Sequence, residues 1–129
     1  MRSVLIDTQV LLWFAEGDDR LSSKALECIV DGNNRLLVSI VSIWEASIKI
    51  SLGKLKLKES LQELVDKQIS VNRMQLLPLS LDHTYAVEKL PFVHRDPFDR
   101  LLVVQAKLEK LSIVSSDEVF DSYKVARVW

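Results

Sequence analysis

The sequence predicts an α/β fold in which a central parallel sheet of four to five strands carries helices on both faces. Two observations lead to this prediction. Short apolar segments alternate along the chain with longer segments whose apolar residues recur at helical spacing. The short segments are apolar throughout, which is typical of strands buried on both faces and hence of a parallel sheet. The length of 129 residues favours a single domain over residues 1–129.

The first half of the chain is predicted to hold two strands and three helices. Serine residues at the predicted helix starts are suited to capping, and isolated glycines end two of the helices. In chain order these elements are a strand at 4–6, a helix at 9–15, a helix at 23–31 capped by Ser22, a strand at 36–38, and a helix that begins at Ser39 or Ser42 and ends at Gly53.

The second half continues the same alternation of strands and helices. Its predicted elements are a helix at 60–71, a strand at 76–79, a helix to residue 90 capped by Ser80, a helix to residue 110 capped by Asp96, a strand at 112–115, a helical turn at 119–120 and a last strand at 125–128. Right-handed crossovers between parallel strands place all their carboxyl ends along one edge, and ligands bind outside that edge.

Composition and charge narrow the class of protein. The formal net charge is −1, so no overall basic field gathers nucleic acid, and an RNA substrate would need local cations. No segment approaches the roughly 20 apolar residues that span a bilayer, and the first residues do not fit a signal peptide. The single cysteine, Cys28, is expected to be a buried apolar residue on a helix. We therefore expect a cytoplasmic protein that does not bind a membrane.

Five acidic residues are predicted to lie near the carboxyl edge of the sheet. A cluster of carboxylates repels itself, and a hard cation such as Mg²⁺ or Mn²⁺ relieves the repulsion because it prefers oxygen ligands. The five are Asp7 after the first strand, Glu45 on the helix after the second strand, Asp96 and Asp99 at the start of the helix before the fourth strand, and Asp117 after that strand.

Each acid also has an ordinary structural role that the sequence leaves open. These roles are helix capping for Asp7, Asp96 and Asp117, an ion pair with Lys49 for Glu45, and an interaction with the helix dipole for Asp99. The two histidines add little, because we expect His83 on the solvated side of its helix and His94 in a loop. No cysteine and histidine spacing suggests zinc, and no glycine-rich phosphate loop is present.

Several motifs, in order along almost the whole chain, resemble those of PIN-domain ribonucleases, specifically the VapC-like toxins of type II toxin–antitoxin pairs. The most specific of them is the block from His94 to Leu102. The others are Asp7-Thr8 followed by Leu11-Leu12-Trp13, Ser42-Ile43-Trp44-Glu45 followed by Lys49 and Leu52-Gly53-Lys54-Leu55, Gln105-Ala106, and Ser115-Ser116-Asp117.

The resemblance implies a single PIN-like domain that acts as a metal-dependent endoribonuclease with Mg²⁺ or Mn²⁺. It assigns the catalytic and metal-binding acids to Asp7, Glu45, Asp99 and Asp117. Thr8 and Ser115 would support the site through hydrogen bonds, and Asp96 would be the helix cap or a ligand that reaches the metal through water. The chain departs from the pattern at Gln9, where close relatives often have histidine.

The same resemblance implies an RNA substrate, a cognate antitoxin protein and a possible homodimer. Four cations near the acids are candidates for contacts with the RNA backbone, and each could equally serve only at the surface: Lys49, Lys54, Arg95 and Arg100. The contrasting hypothesis is a PIN-like module that binds RNA or protein without cutting. The complete set of acids favours the enzyme, because a degenerate site would be expected to lose at least one of them.

Overall fold

The structure, a computed structural model, describes residues 1–129 and contains five strands and seven helices. The strands are β1 (Ser3–Ile6), β2 (Arg35–Ser39), β3 (Gln75–Leu77), β4 (Ser112–Val114) and β5 (Arg127–Val128). The helices are α1 (Thr8–Glu16), α2 (Ser23–Val30), α3 (Ile40–Ser51), α4 (Leu61–Ser70), α5 (Leu81–Lys89), α6 (Pro97–Leu108) and α7 (Val119–Ser122).

The five strands form one parallel sheet in the order β3-β2-β1-β4-β5. The predicted fold class is confirmed. The central strand β1 pairs with β2 on one side and with β4 on the other. The strand order therefore reverses at β1, with β2 and β3 on one side of it and β4 and β5 on the other. The crevice that such a switch point forms lies at the carboxyl end of β1, directly before Asp7.

Side chains of alternate residues of β1 enter two separate apolar cores, one on each face of the sheet. Val4 and Ile6 belong to a core that α1 and α2 cover, whereas Leu5 belongs to a core that α6 and α7 cover. The alternation follows from the pleat of a strand, which directs successive side chains to opposite faces. Both faces of the central strands β1, β2 and β4 are thus closed to water, as the uninterrupted apolar runs predicted, whereas Gln75 and Leu76 of the edge strand β3 are exposed.

Helix caps bring polar residues to the carboxyl edge of the sheet. Asp7 caps α1, and Asp96 caps α6 with Pro97 at the first helical position. Of the two predicted caps of α3, Ser39 is the one that the structure uses, since its hydroxyl accepts a hydrogen bond from the Val41 amide. Ser42 lies inside the helix.

The ends of several elements differ from the prediction. Strand β3 stops at Leu77, because proline at position 78 has no amide hydrogen to continue the ladder. Strand β5 has two residues, and α6 ends at Leu108, two residues before the predicted end. None of the helices is long and apolar enough to cross a membrane.

Candidate active site at the carboxyl edge of the sheet

An acidic pocket of about 430 Å³ opens at the carboxyl edge of the sheet. The pocket has twelve lining residues, of which only two are hydrophobic, so it is built for charged or strongly polar ligands. All five acids singled out in the sequence line it, namely Asp7, Glu45, Asp96, Asp99 and Asp117. Lys49 and Lys54 contribute positive charge to the same walls.

Asp7 is the most deeply buried aspartate of the pocket, with a relative exposure of 7%. Its Oδ1 accepts a 2.8 Å hydrogen bond from the Val10 amide, so the residue is both the cap of α1 and a wall of the pocket. Its pKa is raised to about 6, mainly by burial and to a smaller extent by the charges of Asp117 and Glu45, against the opposing effects of Ser115 and of the Val10 amide.

Ser115 joins Asp7 to Asp117 across the ends of β1 and β4. Its hydroxyl accepts a 3.0 Å hydrogen bond from the Asp117 amide and lies close enough to the Asp7 carboxylate to oppose the effect of burial on the pKa of that group. Asp117 Oδ1 accepts a 3.0 Å hydrogen bond from the Val119 amide. Asp117 therefore shapes the turn into α7 while it lines the pocket.

Glu45 enters the pocket from the second turn of α3 and is buried, with an exposure of 6%. Lys49, one turn further along the same helix, places Nζ 3.0 Å from Glu45 Oε2. The ion pair that the sequence left open as an alternative is present, and it lies in the pocket and not on a remote surface.

The start of α6 brings together three groups that could hold a cation. The ligand atoms of His94, Asp96 and Asp99 all lie within 4.8 Å of one another. His94 Nε2 is 3.0 Å from Asp99 Oδ2, and Asp96 Oδ1 accepts hydrogen bonds of 2.8 and 3.3 Å from the Phe98 and Asp99 amides. The pKa of Asp99 is raised to about 6, mainly by burial and also by the charges of Asp96 and Glu45, against the opposing contact with His94.

The four acids assigned to the metal line one pocket, but they do not form a group as tight as that of His94, Asp96 and Asp99. Asp7 and Asp117 stand on one side, at the ends of β1 and β4, and Asp99 stands on the other side with Asp96. The charge of Glu45 raises the pKa of both Asp7 and Asp99, so Glu45 connects the two sides electrostatically.

Thr8 and Gln9 complete the wall next to Asp7. The Thr8 side chain is buried, and its Oγ1 has no hydrogen-bond partner within the protein. A buried hydroxyl without a partner carries a desolvation cost, which a ligand oxygen or a water in the pocket would offset. Gln9 occupies the position at which the motif departs from close relatives, and it faces the pocket.

The expectation that Arg100 contacts RNA is wrong. Its side chain is buried, and the guanidinium donates hydrogen bonds to four backbone carbonyls and to the Tyr123 hydroxyl, at 3.0 to 3.5 Å. The carbonyls belong to Val87, Leu90, Pro91 and His94, so Arg100 secures the segment that leads into α6. The other candidate cations lie outside the core: Lys49 and Lys54 line the pocket and Arg95 is exposed.

One of the two histidine assignments changes. His83 is buried and not solvated, because its Nδ1 accepts from the Ser80 amide and its Nε2 lies 3.1 Å from Glu109 Oε2. His94 is a loop residue as expected, yet it contacts Asp99. The signal in the sequence for that contact is the position of His94, five residues before an acid in the first turn of a helix.

A parallel α/β domain with a carboxylate-lined pocket at its strand switch point belongs to the class of folds that present oxygen ligands to hard cations. The family model of the PIN domain matches residues 4–126. The chain belongs to the PIN domain family, as its motifs indicated.

Among solved structures, VapBC2 from Rickettsia felis bound to a DNA fragment from their promoter has a TM-score of 0.72 at 18% identity, covering 97% of this chain and 96% of that chain. FitAB bound to an IR36 DNA fragment has a TM-score of 0.63 at 14% identity, covering 96% and 92%. FitAcB from Neisseria gonorrhoeae has a TM-score of 0.62 at 14% identity, covering 96% and 95%. These similarities establish a shared fold. No curated protein matches the sequence.

Proposed function

We propose that this PIN domain is a metal-dependent endoribonuclease, in which Asp7, Glu45, Asp99 and Asp117 bind Mg²⁺ or Mn²⁺. The observation that carries the proposal is the convergence of carboxylates from four separate chain segments on one pocket at the strand switch point. A solely structural role explains each acid separately, through capping or pairing, but it does not explain why all of them face the same cavity.

The residues of the pocket fit a hard divalent cation. The available donors are carboxylate oxygens, which such cations prefer. The pKa of Asp7 and that of Asp99 are both raised to about 6, so the protein alone compensates their negative charges incompletely. The unpartnered Thr8 hydroxyl adds a further oxygen at the same wall.

A bound ion would lower the pKa of a water molecule and polarise the scissile phosphate. Asp7, Asp99 and Asp117 would hold that ion directly or through water, and Ser115, which contacts the Asp117 amide and lies near Asp7, would keep these two acids in place. Glu45 serves as a ligand or orients the attacking water. In-line attack of water on the phosphorus leaves a 5′-phosphate on one product and a 3′-hydroxyl on the other.

Other residues around the pocket position these groups or neutralise the substrate. Lys49 and Lys54 are placed to bind phosphate oxygens at the pocket wall. Asp96 fixes the first turn of α6 as its cap, and His94 holds the orientation of the Asp99 carboxylate through their 3.0 Å contact. Asp96 also contributes negative charge from a position close to Asp99.

The test is cleavage of a panel of structured and unstructured RNAs by the purified protein in Mg²⁺, in Mn²⁺ and in EDTA. We expect cleavage that requires the metal and that falls by at least about a hundredfold in Asp99→Asn and Asp117→Asn, since each substitution removes a charged ligand. Asp66→Asn is the matched control, because Asp66 is an exposed helical aspartate outside the pocket.

Equal cleavage by the wild type and both pocket variants would place the activity outside this protein and contradict the proposal. Cleavage by none of them across the panel, in a preparation that binds Mn²⁺, would favour the contrasting hypothesis of a PIN-like module that binds RNA or protein without cutting.

We further propose that the protein acts in the cytoplasm as the toxin of a toxin–antitoxin pair and that an antitoxin protein and a second copy of the chain are its partners. The shared fold with VapBC2 and FitAB supports this role. Trp44 is 52% exposed and packs edge-on against Phe98, and this aromatic pair beside the pocket is a candidate contact surface. Induced expression should arrest growth in the wild type and not in Asp99→Asn. A small upstream reading frame that encodes a DNA-binding domain with an apolar tail would support the toxin role, and its co-expression should relieve the arrest.

A further inference from the structure

A row of three lysines lies beside the acidic pocket in the connection after α3. Residues 54–58 have the sequence Lys-Leu-Lys-Leu-Lys. The lysines are exposed and the leucines are half-buried. This alternation is that of an extended chain, in which successive side chains point in opposite directions. Leu55 and Leu57 therefore hold the segment against the domain, while the three lysines face outward.

The row leads from the acidic pocket to a neighbouring one. Lys54 lines the acidic pocket, whereas Lys56 and Lys58 line an adjacent pocket of about 500 Å³. The two pockets adjoin each other, because Gln9, Leu12 and Leu55 line both of them. A linear ligand that enters the acidic pocket past Lys54 would thus meet Lys56 and Lys58 in turn.

The three lysines have no close ion-pair partner, and Lys58 interacts with Asp18 only at longer range. None of them forms an ion pair, whereas Lys49 is 3.0 Å from Glu45 and Arg20 is 2.7 Å from Asp18. The adjacent pocket is neutral as a whole, since its lining has three acids and three bases: Glu16, Asp18 and Asp19 against Arg20, Lys56 and Lys58. Attraction for an anion at this place comes from the row itself and not from an overall basic field.

The aromatic residue of the adjacent pocket is not free to stack on a base. The guanidinium of Arg20 lies 5.3 Å from the centre of the Trp13 ring, and the ring of Trp129 lies 5.8 Å from it. Contacts with a nucleic acid here would therefore go to phosphates, which carry charge but no sequence information.

We propose that residues 54–58 bind successive phosphates of a single-stranded RNA and guide that strand into the acidic pocket. The proposal rests on the ribonuclease function proposed above and adds the path of its substrate. Alternate residues of an extended chain are about 6.6 Å apart, which is similar to the spacing of successive phosphates in an extended single strand. The three lysines would increase the affinity for RNA without selecting its sequence. Contacts to the nucleic-acid backbone have the same effect in other proteins that bind single strands.

The test compares the wild type with the Lys56→Gln/Lys58→Gln double variant. The matched control is Lys24→Gln/Lys107→Gln, which removes the same charge from exposed lysines that do not line either of the two pockets. Binding of an unstructured fluorescent RNA oligonucleotide is measured in EDTA over a range of salt concentrations, and KM and kcat for its cleavage are measured in Mn²⁺. The melting temperature of each variant verifies that it is folded.

We expect the plot of log affinity against log salt concentration to become shallower by about 1.4 in the double variant, because each lysine that binds a phosphate adds about 0.7 to the slope. Between about 50 and about 200 mM salt, the advantage of the wild type over this variant should then shrink roughly sevenfold. KM should rise similarly for RNAs of different sequence, and the control should follow the wild type.

If the wild type cleaves RNA but the double variant and the control have equal slopes, the proposed phosphate binding by residues 54–58 is wrong. The proposed ribonuclease function would not be affected by that result. A wild type that neither binds nor cleaves any RNA would overturn both. If the double variant loses binding to poly-glutamate and not to RNA, the row is a surface for an acidic protein segment, and the proposal is wrong.

Discussion

Asp7 combines two functions whose requirements differ. As the cap of α1 it needs only an oxygen that accepts the Val10 amide, and an asparagine would serve this purpose equally well. As a member of the acidic pocket it needs a negative charge, which is costly at a site that is 7% exposed and faces other acids. The negative charge of Asp7, which helix capping does not require, therefore lowers the unfolding free energy of the protein. Such a loss of stability is common at functional sites.

Asp7→Asn is expected to make the metal-free protein more stable at about pH 7.5 while it abolishes cleavage. Because the pKa of the folded state is about 6 and the ordinary value is 3.8, ionisation of Asp7 costs up to about 3 kcal/mol of unfolding free energy, and we expect a gain of about 1–3 kcal/mol. The penalty is fully present above about pH 6 and disappears as the pH falls toward about 4, so the gain should disappear with it. Urea unfolding at several pH values measures this difference.

The control for this measurement is Asp66→Asn, an exposed helical aspartate that should change the unfolding free energy by less than about 0.5 kcal/mol. An Asp7→Asn protein that is less stable than the wild type at about pH 7.5 would show that the ionised carboxylate is compensated within the folded chain.

Arg100 shows where a residue-by-residue interpretation of sequence fails. Its position one residue after Asp99 suggested a cation beside the acids, and the sequence offered no means to see that residues 87–94 fold over it. The buried guanidinium is satisfied by carbonyls and by the Tyr123 hydroxyl, and the spacing of these groups along the chain does not predict that they meet around Arg100. Lys49, in contrast, could be placed from its four-residue spacing to Glu45 alone.

Helices α3 and α6, which carry Glu45 and Asp99, are held together by a buried hydrogen-bond network. Gln105 of α6 accepts a 2.5 Å hydrogen bond from the Ser39 hydroxyl, and its amide donates to the Pro78 carbonyl at 3.3 Å. The same amide lies 3.4 Å from His83 Nδ1. Because Ser39 caps α3, the network fixes the start of one acid-bearing helix relative to the other.

Gln105→Leu is expected to destabilise the protein by about 2–3 kcal/mol, because it leaves the Ser39 hydroxyl and the Pro78 carbonyl without their buried partner. The measurement is urea unfolding. Gln62→Leu, at an exposed position of α4, supplies the comparison and should stay within about 0.5 kcal/mol of the wild type. A similar effect of both substitutions would mean that the network contributes nothing beyond helix packing.

The helices and strands themselves follow from local sequence to a large extent. Apolar runs identified all five strands, and serine or aspartate caps located the starts of six helices. The burial of His83 could not be predicted in this way. Its partners Gln105 and Glu109 lie 22 and 26 residues further along the chain, and only the packing of α5 on α6 brings them together.

At the scale of the whole molecule, the order of the strands determines which acids meet. Asp7 and Asp117 are 110 positions apart in sequence, yet β1 and β4 are adjacent, so their ends are too. The parallel topology was predictable from the apolar strands, and with it the shared edge. The separation of the acids into two sides joined by Glu45 was not, because it depends on how far α3 and α6 project beyond the sheet.

Mn²⁺ or Mg²⁺ is expected to raise the melting temperature, and more strongly at about pH 7.5 than at about pH 5. A ligand at a hundred times its dissociation constant adds about 2.7 kcal/mol to the unfolding free energy. Protons compete for Asp7 and Asp99 below their pKa values of about 6, so metal binding weakens as the pH falls. Thermal melts with metal, and then with EDTA, measure the effect.

The same shift at both pH values would contradict the involvement of these two aspartates. Asp99→Asn, measured in parallel, should show a smaller shift than the wild type at the higher pH, because it removes one of the proposed ligands. If the metal raises the melting temperature of this variant as much as that of the wild type, the ion binds on the other side of the pocket, beside Asp7 and Asp117.

Cys28, the single thiol of the chain, gives the protein a built-in reporter of its own opening. It lies on α2 in the core against β1, and burial raises the pKa of its thiol. Its side chain is 8% exposed at the wall of a pocket beside Arg2 and Asn34, so a thiol reagent reacts with it faster when α2 separates from the sheet or the whole domain unfolds. The rate of labelling of the unmodified wild type therefore measures how often α2 separates from the sheet, and ligands of the acidic pocket can be ranked by how far they slow it.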